Sequence, residues 1–161
     1  MLKVKSQKVE VGFKARYPYK PNETLLKKAA RAAVEAAGVD TSVEMGIVVT
    51  GDSAVRKLNA KYRGLDEVTD VLSFGLRDGD KFPALPDGVL RIGEVVLAYP
   101  TCERQAIEFG HTANEEAALL TIHGTLHLLG YDHEASADAN RMKKAEKVAL
   151  KSIGLPNLSR I

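Results

Sequence analysis

The apolar stretch between residues 116 and 129 most restricts what this chain can fold into. Its large apolar side chains fall on most sides of a helix rather than along one stripe: Leu119, Leu120, Ile122, Leu126, Leu128 and Leu129. A helix that is apolar on most sides has to be buried on most sides. Thr112 and Glu115 match a capping box that begins it, and Gly130 is placed to end it in the left-handed conformation. We therefore predict a helix at the centre of the domain.

The segments around this helix alternate between strand and helix patterns. Strands are predicted at 4–13 (an edge strand), 43–49, 71–74 and 92–99, and further helices at 22–37, 52–62, 101–109 and 134–153. Asp52 or Ser53 is expected to cap the helix at 52–62, and 76–90 is predicted to be a long irregular loop. The order β-α-β-α-β-β-α-α-α predicts an α+β (mixed α/β) fold, a small mixed sheet with the central helix and other helices packed on it. A length of 161 residues predicts one domain, 1–161.

Composition excludes several classes of protein. Cys102 is the one cysteine, so the chain is not a disulfide scaffold, and this residue is expected to be small and buried. No run approaches about 18 apolar residues, which argues against a membrane span. The lysines near the N-terminus have no apolar segment behind them, so they do not form a secretory signal. We expect a cytoplasmic protein without a membrane partner.

The net charge of +2 hides an uneven distribution along the chain. Residues 1–31 hold nine Lys or Arg against two Glu, residues 141–151 hold five against one, and the stretch between them is net negative. Two basic ends around an acidic middle are compatible with a face that binds a polyanion. Solvated helix and strand surfaces would explain the same charges without any ligand.

Three of the four histidines lie within eleven residues, at positions 123, 127 and 133. Residues four apart on a helix share a face about 6 Å apart along its axis, so His123 and His127 can bind one ion. His133 would lie about 9 Å further along a continuing helix, but a turn at Gly130 can bring it back. Three neutral imidazoles with a fourth position for water are typical of a catalytic zinc site. We therefore predict one Zn²⁺ per chain.

The surroundings of the histidines qualify this prediction. Asp132 or Glu134 is placed to orient one of the rings. A pair of core histidines plus a surface one is the alternative, and His111, outside the spacing, is expected at the surface. A structural zinc site would normally have four protein ligands, and no cysteine lies near enough to supply one.

Gly124 argues against the best-known zinc peptidases, which carry a glutamate base directly after the first histidine. A peptidase would need its base from Glu94, Glu134 or another acid, and it stays an alternative. Glycine inside a helix costs about 1 kcal/mol relative to alanine. Position 124 is therefore expected to need room, for backbone packing or for a substrate above the metal.

Two motifs of this chain resemble the YbeY-type endoribonucleases, the bacterial rRNA maturation factors. One motif is the run from His123 to His133, and the other is Leu-Asn-Ala-Lys-Tyr-Arg-Gly at 58–64 followed by Thr-Asp-Val-Leu-Ser-Phe at 69–74. A weaker match is Gly-Glu-Val-Val at 93–96, where the family usually has Gly-Asp-Ile. The resemblance covers about residues 44–150. It departs from the family at Val68 and Gly75, where proline is common.

The resemblance implies a metal-dependent endonuclease acting on single-stranded RNA. It also implies a role in small-subunit rRNA maturation and ribosome quality control, with the ribosomal small subunit or its proteins as partners. By position, His123, His127 and His133 would be the metal ligands, His123 also a catalytic residue, and Arg63 the catalytic arginine. A guanidinium is always charged and can bind a phosphate through two hydrogen bonds, which suits this role.

An RNA substrate suggests roles for Asp70 and for three lysines. Asp70 either orients Arg63 or a histidine, or caps the start of the following strand. Lys143, Lys144 and Lys147 follow closely after His133, so we expect them to contact the RNA backbone. A non-catalytic ribosome-binding module with a structural metal remains the second alternative.

Overall fold

Four strands form one mixed sheet in the order β1-β2-β4-β3. The structure, a computed structural model, describes residues 8–75, 88–131 and 136–158. The strands are β1 (Val9–Ala15), β2 (Val43–Thr50), β3 (Val71–Gly75) and β4 (Leu90–Ala98). β2 runs parallel to both β1 and β4, whereas β3 runs antiparallel to β4 at the edge. The predicted fold class, a mixed sheet with helices packed on it, is confirmed.

Five helices complete the described part of the chain: α1 (Glu23–Ala36), α2 (Asp52–Arg63), α3 (Tyr99–Phe109), α4 (Ala113–Leu128) and α5 (Ser136–Ser152). Their order is the predicted one, and the described ends differ from prediction by a few residues. Residues 4–7 of the first predicted strand, most of the predicted loop (76–87) and the first two residues of the last predicted helix lie outside the described residues.

The predicted side-chain cap of α2 is wrong. Gly51 is the N-cap residue, and no side chain caps the helix there. The Asp52 carboxylate instead accepts hydrogen bonds from Thr101 Oγ1 and Arg104 Nη2, each at 2.8 Å. Asp52 therefore ties α2 to α3, a partnership that only the packing of the two helices decides.

The apolar helix α4 lies at the centre, as predicted. Leu120, Ile122 and Leu126 are fully buried, and both hydrogen bonds of the capping box between Thr112 and Glu115 are present. α4 packs against α1, α3, α5 and the strands β3 and β4. None of the helices in the described ranges is long and apolar enough to cross a membrane.

The two faces of the sheet are covered unequally. α1 and α4 pack on one face, over buried side chains such as Ile47 and Leu97. On the other face, a small cluster packs beside α2 at one end of the sheet: Val55, Leu72, Val96 and Ala98. Another part of that face borders an open cavity of about 770 Å³. The sheet therefore separates the histidine helix from an open surface.

Candidate metal and phosphate site

His123 and His127 face each other one turn apart on α4. Their Nε2 atoms lie 3.2 Å apart, and the rings meet edge to face at 77°. Two nitrogens bound to one tetrahedral zinc ion at about 2.0–2.1 Å would be about 3.4 Å apart. The distance between these two nitrogens therefore fits two ligands of a single ion.

Glu146 of α5, which the sequence analysis missed, holds the ring of His123. Its Oε2 lies 2.6 Å from His123 Nδ1, and the side chains of the histidine and the glutamate are 26% and 21% exposed. When Nδ1 donates its proton to this carboxylate, Nε2 presents its lone pair on the side of His127. A signal existed in the sequence, because Glu146 lies four residues after Met142 and four before Leu150, which are buried on α5.

The turn after α4 follows the prediction as far as the structure describes it. Gly130 has φ +99° and donates its N–H to the His127 carbonyl, while Tyr131 donates to the Leu126 carbonyl. This pair of bonds is the Schellman ending of a helix, which glycine makes favourable. The chain is described again from Ser136, where α5 begins.

The third predicted ligand, His133, lies outside the described residues, as do Asp132 and Glu134. Within 8–75, 88–131 and 136–158, no group of three or more His, Cys, Asp or Glu is arranged to hold a metal ion. The structure therefore brings together two of the three predicted ligands, and the third stays a prediction.

Gly124 lets α4 approach the sheet. A Cβ at this position would lie 3.0 and 3.1 Å from the two Cγ atoms of Val95 and 3.1 Å from Ser73 Oγ. The Ser73 hydroxyl also donates to the Gly124 carbonyl at 2.9 Å. Of the two expected reasons for room at this position, close backbone packing is the one that the structure shows. It sets the backbone of Gly124, the neighbour of His123, against the edge strand β3.

Arg63 is the last residue of α2, directly before Gly64, which ends the helix at φ +72°. Its side chain is exposed, and no carboxylate in the described part of the chain forms an ion pair with it. A permanently charged guanidinium in this setting can bind a phosphate bidentately.

Asp70 lies immediately before β3, where its carbonyl accepts from the N–H of Ala98 and its Oδ1 accepts from Thr69 Oγ1 at 3.5 Å. The predicted RNA contacts Lys143, Lys144 and Lys147 are exposed on α5, the helix that carries Glu146. Helix α5 therefore carries both a row of exposed lysines and the carboxylate that holds His123.

His111 was expected at the surface, and this prediction is wrong. Its side chain is 7% exposed, and its Nε2 lies 2.6 Å from Oε1 of the fully buried Glu116. The ring also stacks on Phe109. His111 is buried because the bend between α3 and α4 folds it back on α4, which its position in the sequence does not reveal. Cys102 is buried as predicted.

Comparison with known proteins decides the family. The family model described as Endoribonuclease YbeY matches residues 10–154. The chain belongs to the YbeY family. A curated YbeY endoribonuclease from Dehalococcoides mccartyi (strain CBDB1) is 43% identical over 155 residues, 90% of this chain and 93% of that protein. One from Desulforamulus reducens is 40% identical over 131 residues, 81% of this chain and 86% of the relative.

A solved structure shows the same fold. The solution structure of a protein from Thermotoga maritima has a TM-score of 0.57 and 24% identity, and the match covers 88% of this chain and 90% of that chain. The YbeY family match extends beyond the two sequence motifs and includes nearly all of β1, all of α1 and all of the basic 141–151 segment. Membership places this chain among enzymes that hydrolyse phosphodiester bonds, rather than among peptidases.

Proposed function

We propose that this YbeY-family protein is a zinc-dependent endoribonuclease that cleaves single-stranded RNA. His123, His127 and His133 would bind one zinc ion per chain, and Arg63 would bind the phosphate at the scissile bond. The observation that carries the proposal is the pair of Nε2 atoms 3.2 Å apart, with the outer nitrogen of His123 held by Glu146.

A bound zinc ion supplies a Lewis acid that stabilises negative charge developing on the phosphate. Arg63 donates two hydrogen bonds to nonbridging oxygens and so orients the phosphodiester. Glu146 fixes the tautomer and the orientation of His123. Lys143, Lys144 and Lys147 attract the RNA backbone toward the end of α4.

The biological setting that we propose is small-subunit rRNA maturation and ribosome quality control, in the cytoplasm and in contact with the ribosomal small subunit. One domain spanning residues 1–161 would carry the activity. The support is the family match over residues 10–154 and relatives that carry the name endoribonuclease over nearly the same span.

Zinc content and RNA cleavage, measured on protein purified without a histidine tag, test the proposal. We expect about one zinc per chain by elemental analysis, and loss of both zinc and cleavage in His123→Ala/His127→Ala. Glu146→Gln should bind zinc roughly 10–100-fold more weakly, because the ring loses its charged partner. Glu108→Gln, a change of the same charge on the exposed side of α3, is the matched control.

The outcomes separate the alternatives. Full zinc content in the double histidine variant would refute the site. Full zinc content without any RNA cleavage would favour a non-catalytic ribosome-binding module. Identification of the product end groups would also show whether water or the 2′-hydroxyl attacks.

A further inference from the structure

A cleft lies on the sheet face opposite α4, between the end of β1 and α2. It consists of two adjoining cavities of about 610 Å³ each, which share the lining residues Arg16, Thr50, Ala54 and Leu58. α2 leaves this space open because its apolar side packs only on the small cluster at the end of the sheet. Neither His123 nor His127 lines either cavity.

Four basic side chains line this cleft: Lys14, Arg16, Lys57 and Lys61. No carboxylate in the described ranges forms an ion pair with any of them. Arg56, on the same helix, is in contrast bound by both carboxylate oxygens of Asp66. Glu94 lines the end of the cleft nearest the open sheet face. We call these four residues and their two cavities the basic cleft. Its lining therefore has a net positive charge.

Exposed aromatic rings lie at both ends of the basic cleft. Tyr17 is 92% exposed and Tyr62 is 59% exposed, although each lines one of the cavities. Phe74 meets the Tyr62 ring edge to face, with the ring centroids 5.4 Å apart, and Lys61 Nζ lies 5.1 Å from the Tyr62 centroid. Tyr62 is thus held in place by Phe74 while much of its surface remains accessible.

We propose that the basic cleft binds a stretch of single-stranded RNA, with Lys14, Arg16, Lys57 and Lys61 at its phosphates and Tyr62 stacking on a base. Sites for single-stranded nucleic acids combine a cationic groove with aromatic rings on which bases stack. An acidic peptide would match the charges but would lack the regularly spaced planar bases that stack on such rings, and the test below includes it as an outcome. The proposal rests on the proposed RNA substrate and adds a binding surface outside the metal site.

The edge strand β3 connects this surface to the histidine helix. Phe74 lines the cleft on one face of the sheet, and the neighbouring Ser73 bonds to Gly124, next to His123, on the other face. RNA in the basic cleft would therefore pass around β3 to reach the metal site. The cleft would hold nucleotides that flank the cleaved bond, so its loss should raise KM and leave kcat nearly unchanged.

Binding is tested separately from cleavage, in the His123→Ala/His127→Ala background, by fluorescence anisotropy with a labelled single-stranded RNA of about 12 nucleotides. Adding Lys57→Ala/Lys61→Ala should weaken binding about 10-fold or more. It should also reduce the slope of log affinity against log salt by about 1.4, since each phosphate contact to a single strand contributes about 0.7. The control is Lys27→Ala/Lys28→Ala on α1, which removes the same charge on the other side of the sheet and breaks one partly exposed ion pair, that of Lys27 with Glu23.

Variants of Tyr62 distinguish the contribution of base stacking to RNA binding from that of charge. Tyr62→Ala should weaken binding about 5-fold or more with an unchanged salt slope, because stacking involves no counterion, whereas Tyr62→Phe should bind like the parent. Equal binding by the cleft variant and its α1 control would overturn the proposal. An acidic peptide that displaces the RNA and binds independently of Tyr62 would also overturn it, in favour of a protein partner.

The binding and cleavage measurements together distinguish a failure of the basic cleft from a failure of the proposed function. Cleft-dependent RNA binding together with absent cleavage would refute the endoribonuclease assignment and leave the basic cleft standing. Conversely, RNA cleavage with the same KM in the cleft variant and in the α1 control would support the endoribonuclease assignment and overturn the basic cleft.

Discussion

Replacing Gly124 with alanine tests whether the close approach of α4 to the sheet holds the histidine pair in place. The added Cβ would lie 3.0 and 3.1 Å from the Val95 methyl carbons and 3.1 Å from Ser73 Oγ. Contacts this short force either α4 or β4 to move by a few tenths of an ångström. Val95 is fully buried, so its side chain has little space in which to turn away.

The magnitude follows from two opposing terms. Overpacking of a well-filled core costs about 1–3 kcal/mol, and alanine instead of glycine in a helix returns about 1 kcal/mol. We therefore expect Gly124→Ala to lower the free energy of unfolding by about 0–2 kcal/mol. Val95→Ala alone should cost about 2 kcal/mol by removing two buried methyl groups. Because it removes the atoms that the new Cβ meets, the double variant should be more stable than the sum of the single changes predicts.

Urea unfolding of the parent, the two single variants and the double variant measures this coupling. We expect an interaction free energy of about 1 kcal/mol in favour of the double variant, with unchanged m-values. Zinc affinity should fall in Gly124→Ala and recover in the double variant, as α4 returns toward its place beside β3. Effects that add to within about 0.3–0.5 kcal/mol would refute the argument that Val95 sets the need for glycine.

Three further predictions concern Arg63, the lysines of α5 and Asp52. Arg63→Lys keeps the charge but loses the fork, so cleavage should fall about 10²–10³-fold with an unchanged unfolding curve; near-normal cleavage would show that Arg63 binds no phosphate. Lys143→Ala/Lys144→Ala should reduce the salt slope of RNA binding by about 1.4, and an unchanged slope would remove α5 from the interface. Burial raises the pKa of Asp52, but the hydrogen bonds and charge of Arg104 and Thr101 outweigh it and lower the pKa overall. Ionised Asp52 therefore stabilises the fold above its ordinary pKa, and this stability is lost as the pH falls through the lowered value. Urea unfolding should show Asp52→Asn less stable than the parent by about 1 kcal/mol at neutral pH, with the difference shrinking as the pH falls below the ordinary pKa of the carboxyl, 3.8; a difference that persists in acid would contradict this role.

The sequence by itself determined what depends on neighbours within a few residues. The capping box at Thr112, the left-handed end at Gly130 and the shared face of His123 and His127 all follow from the geometry of one helix. The burial of that helix also followed, because a helix apolar on most sides has one stable place in a small fold. These features need no knowledge of what packs against them.

Tertiary structure alone decided which distant residues meet. Glu146 reaches His123 from the next helix. Val95, 29 positions before Gly124 in the chain, lies so close that position 124 has no room for a side chain. The side chain of His111 is buried against Glu116 rather than exposed. The basic cleft likewise joins β1 to α2, whose charges are separated by more than 40 residues. The physical reason is that side-chain spacing sets the face of an element on which a residue lies, whereas packing sets which other element that face meets.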